Sequence, residues 1–230
     1  GVVHQSHSDR LFAEYVEIFD PIKKLFAEVI KSKKSTLSPS ALTFRSAQGR
    51  CPECKGKGVM ELNLDFVAES DTPCGACGGK RYNPEVLKLH FLNKTISDVL
   101  ELTVDEAIPF FETQKAIIQK LQLISEIGLG YQTLGQELST LSGGEIRRAK
   151  LAKMLFETKP EPTLICMDEP SSGLFFTDIE RLLVLFEKLL QHGHTLLIAE
   201  HNRQIIESAD YVVRLGPEGE CYGGKIQSIT

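Results

Sequence analysis

Apolar residues recur at helical spacing near the start of the chain, at Leu11, Phe12, Tyr15, Phe19, Ile22, Leu25, Phe26 and Val29. That period predicts a helical segment over residues 9–31, with Pro21 in a first turn behind Asp20 as its cap. Residues 31–40 are polar, contain Pro39 and read as a loop. Between two cysteine pairs, Val59-Met-Glu-Leu-Asn-Leu-Asp-Phe-Val alternates apolar and polar positions as a strand does. Residues 95–130 return to a helical pattern. Thr95 and Thr103 stand as caps, Thr103 with Glu106 three residues on in a capping box, and Gly128 and Gly130 close the region. After Ser142 the pattern predicts helix 145–157, strand 163–168, helix 177–192, strand 195–199, helix 203–208 and strand 211–214. Near-continuous apolar strands alternating with helices indicate an α/β fold, with a parallel sheet covered on both faces.

Composition narrows the class. The chain has 230 residues, 42% of them hydrophobic, enough for one large domain or two modest ones. No apolar run approaches the ~18 residues that span a membrane. The opening Gly1-Val-Val-His-Gln-Ser-His has no basic region followed by an apolar stretch, so no secretory signal is expected there, and the chain reads as a fragment. Residues 1–95 hold 14 Lys+Arg against 11 Asp+Glu, and residues 96–230 hold 12 against 20. The mildly basic part surrounds the cysteines (Arg45, Arg50, Lys55, Lys57, Lys80, Arg81, Lys88). It is either a phosphate-facing surface or a set of ordinary solvated side chains.

Four of the six cysteines form Cys51-x2-Cys54 and Cys74-x2-Cys77, two knuckles separated by 19 residues. A two-residue spacer lets both thiolates of a knuckle reach one ion, and flanking glycines let the backbone fold beneath the sulfurs. Two knuckles make a closed four-thiolate site of the kind structural Zn²⁺ prefers, with no position for a reacting water. Without an export signal, this usage favours metal over disulfides and a reducing cytoplasm. Cys166 lies in an apolar strand and Cys221 in a glycine-rich tail.

Three further features form a series. Leu141-Ser-Gly-Gly-Glu precedes a helix: Ser142 caps it, and Gly143 and Gly144 let a phosphate approach the free amides. Leu164-Ile-Cys-Met-Asp-Glu delivers Asp168 and Glu169 to a strand's carboxyl end, where Asp168 can hold Mg²⁺ through water and Glu169 can orient or deprotonate an attacking water. Thr195-Leu-Leu-Ile-Ala-Glu then delivers His201, read as a γ-phosphate sensor, while His4, His7, His90, His192 and His194 read as surface residues. The order is that of the signature half of an ABC-type ATPase. No phosphate-binding loop accompanies it. Gly219-Glu-Cys-Tyr-Gly-Gly-Lys-Ile comes near the pattern, but Ile226 has no hydroxyl for Mg²⁺ and no helix follows. It reads as a turn into a last strand.

These residues together resemble the UvrA family of DNA-repair ATPases, the A subunits of the excinuclease ABC system. The knuckle running from Cys74 through Gly79-Lys-Arg-Tyr-Asn, Lys94-Thr-Ile-Ser-Asp-Val-Leu, Leu134-Gly-Gln and Thr140-Leu-Ser-Gly-Gly-Glu carry the likeness, as do His201-Asn, Ala209-Asp and Leu215-Gly-Pro-Glu-Gly. It extends over residues 1–226 and is similar to the C-terminal part of such a protein. By that resemblance Gln5 is the Q-loop glutamine that senses Mg²⁺ and water. Asp168, Glu169, Gln5 and His201 then serve one ATP site, and Ser142 and its glycines serve the ATP held by a second ATPase half.

The resemblance divides the chain into a Q-loop segment (1–42), a zinc module (43–94), a helical signature segment (95–140) and the ATPase subdomain (141–230). It also implies ATP with Mg²⁺ and Zn²⁺ as cofactors, a homodimer, and damaged double-stranded DNA and a UvrB-like endonuclease as partners. The setting is nucleotide excision repair and the SOS response. Phe175-Phe176 after Gly173-Leu174, Ser171-Ser172 in place of two threonines, and a short segment after Gln5 depart from the family pattern. A UvrA-like drug-resistance protein is the neighbouring alternative. A DnaJ-type zinc module accounts for Cys51 to Gly58 but not for the ATPase series, and the zinc insertion argues against a ribosomal ABC protein.

Overall fold

Glu17 breaks the first predicted helix. In this computed structural model, which describes residues 10–61, 71–157, 161–174, 176–216 and 224–230, the segment forms α1 (Phe12–Tyr15) and α2 (Phe19–Ser32). Between them Glu17 adopts a left-handed backbone at φ 58°. The apolar period survives the break because Phe12, Phe19, Ile22, Phe26 and Ile30 are all buried. Asp20 is not the cap: α2 begins after Ile18, and Asp20 instead pairs with Lys23 at 2.7 Å inside the first turn.

The chain divides into two units. The first comprises residues 1–125 and 129–141, and the second comprises 126–128 and 142–230. In the first, strands β1 (Val59–Glu61) and β2 (Asp71–Pro73) pair antiparallel between the knuckles. The rest of the predicted strand, residues 62–67, lies outside the described residues. Helices α3 (Pro84–Leu87), α4 (Ile96–Glu101), α5 (Val104–Phe110) and α6 (Lys115–Ile124) follow.

Both threonine caps form as predicted. The Thr95 hydroxyl accepts from the Asp98 amide at 3.1 Å while the Asp98 carboxylate accepts from the Thr95 amide at 2.8 Å. Thr103 and Glu106 repeat the exchange at 3.2 and 2.9 Å. Each box satisfies two amides that a helix start leaves unpaired. Phe26, Phe91, Phe110 and Phe111 form an aromatic cluster, and the Tyr82 ring packs edge-on to Phe44 while its buried hydroxyl donates to the Leu42 carbonyl.

The second unit holds α7 (Gly143–Glu157), β3 (Leu164–Asp168), α8 (Phe176–Gln191), β4 (Thr195–Ala199), α9 (Arg203–Glu207), β5 (Val213–Gly216) and β6 (Lys225–Ile229). β3 and β4 run parallel in register, Leu164 opposite Thr195 through Asp168 opposite Ala199, with α8 as the crossover. Ile179, Leu182, Leu185 and Phe186 of α8 are buried, as are Ile165 and Met167 of β3. The other side of the pair departs from the expectation of a sheet covered on both faces. Leu164 and Leu197 are each 60% exposed, and Cys166 between them is exposed too. The last predicted strand does not join this pair; β5 pairs antiparallel with β6. Lys225–Ile229 is thus a strand where a phosphate-binding loop would need a helix. Residues 219–223 of that motif, with Cys221, lie outside the described residues. Among the described residues no helix is long and apolar enough to cross a membrane.

Candidate nucleotide half-site and four-thiol centre

The second unit gathers three of the predicted motifs. α7 starts at Gly143, and Ser142 caps it reciprocally with Glu145: the serine hydroxyl accepts from the Glu145 amide at 3.3 Å, and the Glu145 carboxylate accepts from the Ser142 amide at 2.7 Å. Ser142 and Gly143 stay exposed at the helix's positive end. Gly144 packs against Gly173, where a Cβ would stand 3.1 Å from the Gly144 Cα. Gly173 itself has φ 78°, so a side chain there would be both crowded and strained. One turn into α7, Arg147 donates to the Ser172 hydroxyl. The signature loop and the turn after the acidic strand are therefore held to one another.

β3 carries Asp168 and Glu169 to the carboxyl end of the sheet, both exposed. Glu169 has φ 44°, a left-handed conformation that costs a residue with a Cβ about 1–2 kcal/mol. Its backbone is tied down on both sides: its amide donates to the Ala199 carbonyl at 2.9 Å, and its carbonyl accepts from the Ser172 amide at 3.0 Å. These two bonds hold an exposed carboxylate in a conformation that its backbone alone disfavours. β4 ends beside β3 and carries His201 to the same edge. The His201 Nδ1 lies 3.7 Å from a Glu169 oxygen and 3.7 Å from a Glu200 oxygen, and the imidazole is 76% exposed. Asp168, Glu169 and His201 thus share the carboxyl end of two adjacent parallel strands, where open α/β sheets bind ligands. Gln5 lies outside the described residues, as does Phe175.

Several polar contacts that shape this edge escaped the sequence reading: Glu200, the Arg147–Ser172 bond, and a pairing of Arg148 with Asp178 at 3.5 Å in which Arg148 is buried. The Asp178 carboxylate also faces Gly128, where a Cβ would come within 3.1 Å of its oxygen. An acidic residue ending an apolar strand beside His201 was the available signal for Glu200. His194 is buried rather than on the surface, because it precedes β4 beneath the end of α8, where its amide donates to the Leu189 carbonyl.

In the first unit all four predicted cysteines converge. Cys51, Cys54, Cys74 and Cys77 are buried free thiols, with sulfurs all within 4.8 Å of one another. Cys51 and Cys74 Sγ are 4.0 Å apart, and Cys54 and Cys77 Sγ 3.7 Å. A metal with bonds of about 2.3 Å to a tetrahedron of sulfurs needs S–S edges near 3.8 Å, so the donors fit the ion. The backbone supports them: the Gly58 amide donates to Cys54 Sγ at 3.2 Å, and the Cys74 amide to the Gly58 carbonyl at 2.8 Å. Gly56 and Gly58 have φ 91° and 83°, and a Cβ at Gly56 would lie 2.3 Å from the Phe44 carbonyl oxygen. Backbone amides of Cys77 and Ala76 hold the Cys74 thiol down to about 7, while burial pushes Cys77 up to about 12.

Around this centre at least four of the seven basic residues noted above are engaged by carboxylates. Lys80 meets Asp98 at 3.4 Å, Arg81 meets Glu137 at 3.0 Å, Lys88 meets Glu85 at 2.6 Å, and Arg45 pairs with Glu14. The basic surface is smaller than the charge count implies.

Comparison with known proteins shows the family of the chain. The chain is 44% identical over 214 residues to the UvrABC system protein A of Bacillus subtilis (strain 168), which spans 93% of this chain and 22% of the relative. Identity to the same protein of Escherichia coli (strain K12) is 42% over 214 residues, covering 93% and 23%. The crystal structure of UvrA2 from Deinococcus radiodurans superposes with a TM-score of 0.82 at 38% identity, covering 96% of this chain and 27% of that one. This chain belongs to the UvrA family. It spans under a quarter of the length of the curated relatives it matches. No family model matches.

Proposed function

We propose that this segment is part of a UvrA-type ATPase that recognises damaged double-stranded DNA in nucleotide excision repair. ATP binding and hydrolysis are coupled there to DNA grip and to loading of a UvrB-like endonuclease. The observation that carries the reading is the meeting of Asp168, Glu169 and His201 at one sheet edge, in a chain 44% identical to a UvrABC system protein A. In this reading Asp168 holds Mg²⁺ through water. Glu169 orients the attacking water and takes its proton, and its strained backbone fixes where that proton is received. His201 faces the terminal phosphate, and Gln5 completes the set. The amides at Ser142, Gly143 and Gly144 address the ATP of a second half, within a protein that works as a homodimer.

Zn²⁺ is the ion that suits Cys51, Cys54, Cys74 and Cys77. Four thiolates would leave the ion no open position, so these cysteines would hold it in a structural role within the module between Q-loop and signature. The segments 1–42, 43–94, 95–140 and 141–230 serve as Q-loop arm, zinc module, signature helices and ATPase subdomain, in a cytoplasmic protein. By themselves these 230 residues are expected to hydrolyse no ATP, because their sequence carries no phosphate-binding loop motif.

Glu169→Gln tests the reading in a polypeptide of full UvrA length that carries this segment. The amide is isosteric and cannot act as a base. ATP binding should persist while hydrolysis falls by about two to four orders of magnitude. Wild-type turnover in that variant removes Glu169 from the role.

A further inference from the structure

Glu200 ends the β4 strand region one residue before His201, yet it differs from the other carboxylates of the edge. Its side chain is 3% exposed, against 53% for Glu169. Oε1 accepts from the Ser171 amide at 3.0 Å and from the Ser171 hydroxyl, while Oε2 accepts from the His201 amide at 2.6 Å and the Asn202 amide at 2.8 Å. A carboxylate offers about four acceptor positions, and donors from two loops fill them. Burial opposes its ionisation, but the hydrogen bonds from Ser171, Asn202 and His201 outweigh that cost and hold the carboxyl below the usual glutamate range. So engaged, Glu200 is an anion with no free oxygen to serve as a base or to ligate a metal.

Its contacts determine what it can do. Ser171 lies two residues after Glu169, in the turn whose backbone fixes that residue's left-handed conformation. His201 and Asn202 open the other loop, and the Asn202 side chain caps α9 by accepting from the Gln204 and Ile205 amides. One buried anion therefore clamps the turn of Glu169 to the start of the loop that carries His201. Resting on the ATPase reading above, we propose that Glu200 is a positioning residue for hydrolysis: it holds His201 in place beside the turn of Glu169 and acts through His201. The adjacent Ser172 bonds Arg147 of α7 instead, so the two neighbouring serines tie the turn in different directions.

The test is a double-mutant cycle in a polypeptide of full UvrA length carrying this segment. Steady-state kcat and KM for ATP, with thermal unfolding, are measured for Glu200→Ala, Glu200→Gln, His201→Ala and Glu200→Ala/His201→Ala. Glu200→Ala should lower kcat by about ten- to a hundredfold, as loss of a supporting contact behind a functional ligand does, with KM within about threefold. Glu200→Gln keeps one carbonyl acceptor and should recover part of the loss. The double variant should be no slower than the slower single one, because Glu200 works through His201.

Multiplicative losses in the double variant, or wild-type kcat in a folded Glu200→Ala protein, overturn the proposal while leaving the ATPase reading standing. A wild-type rate for His201→Ala removes His201 from that reading and the proposal with it. If Glu200→Ala fails to fold, Glu200→Gln with His201→Ala runs the same cycle, with the same outcomes deciding it.

Discussion

In the first unit Phe12, Phe26, Tyr82, Phe111 and Leu121 are wholly buried, whereas in the second Leu164, Leu197, Val213, Leu215, Ile226 and Ile229 stand exposed. The contrast is not one of composition, since both units carry apolar runs. The first wraps its aromatic cluster with short capped helices and closes its remaining loops around four sulfurs. The second presents a two-stranded parallel sheet with α8 on one face and nothing among the described residues on Leu164 and Leu197. Parallel strands are normally covered on both sides. In the proposed reading its edge is likewise half built, with two carboxylates and a histidine but, among the described residues, no phosphate loop beside them. In that reading the first unit holds a four-thiol centre of its own, and the second supplies one side of a site.

The largest expected effect lies in the first unit. Cys54→Ala takes one ligand from a site whose metal contributes on the order of 10 kcal/mol to folding of such modules. The knuckle region should lose its amide protection in hydrogen exchange while α8 and β4 keep theirs; protection retained around Cys51 and Cys74 would show that the thiols are not the module's core. Next come two positions on one sheet of the second unit. Ile165→Ala, on the buried side, should destabilise that unit by about 2–4 kcal/mol. Leu197→Lys, on the open side, should change stability by less than about 0.5 kcal/mol and reduce self-association at high concentration. Equal costs on the two sides, read from denaturant unfolding, would show that the exposed face is covered. The smallest effect returns to the first unit: Thr103→Ala breaks a capping box and should cost about 1 kcal/mol, measured in the same way.

What could be read from the sequence was whatever is local in the chain. A two-residue spacer fixes which sulfurs share an ion, and a threonine three residues before an acid fixes a cap. Asp168 and Glu169 announce themselves at the end of an apolar run. The limits came from longer-range facts. Nothing in the helical period of residues 9–31 shows that Glu17 turns left-handed and splits it. An apolar strand looks the same whether one face or both are covered, so the open side of Leu164 and Leu197 was not foreseen. The enclosure of Glu200 is not legible in the sequence because its partner Ser171 is 29 residues away. Four of the basic residues around the cysteines looked available for phosphate until the structure placed carboxylates beside them.

In the proposed reading these residues form a complete four-thiol metal centre but only half of a nucleotide site. Calorimetric titration of the purified 230-residue chain with Mg-ATP, after its metal content has been measured, tests both halves in one sample. The expected result is one zinc per chain and nucleotide binding no tighter than millimolar, on the order of −4 kcal/mol. Micromolar Mg-ATP binding would contradict it, for it would mean that these residues contain a phosphate cradle of their own.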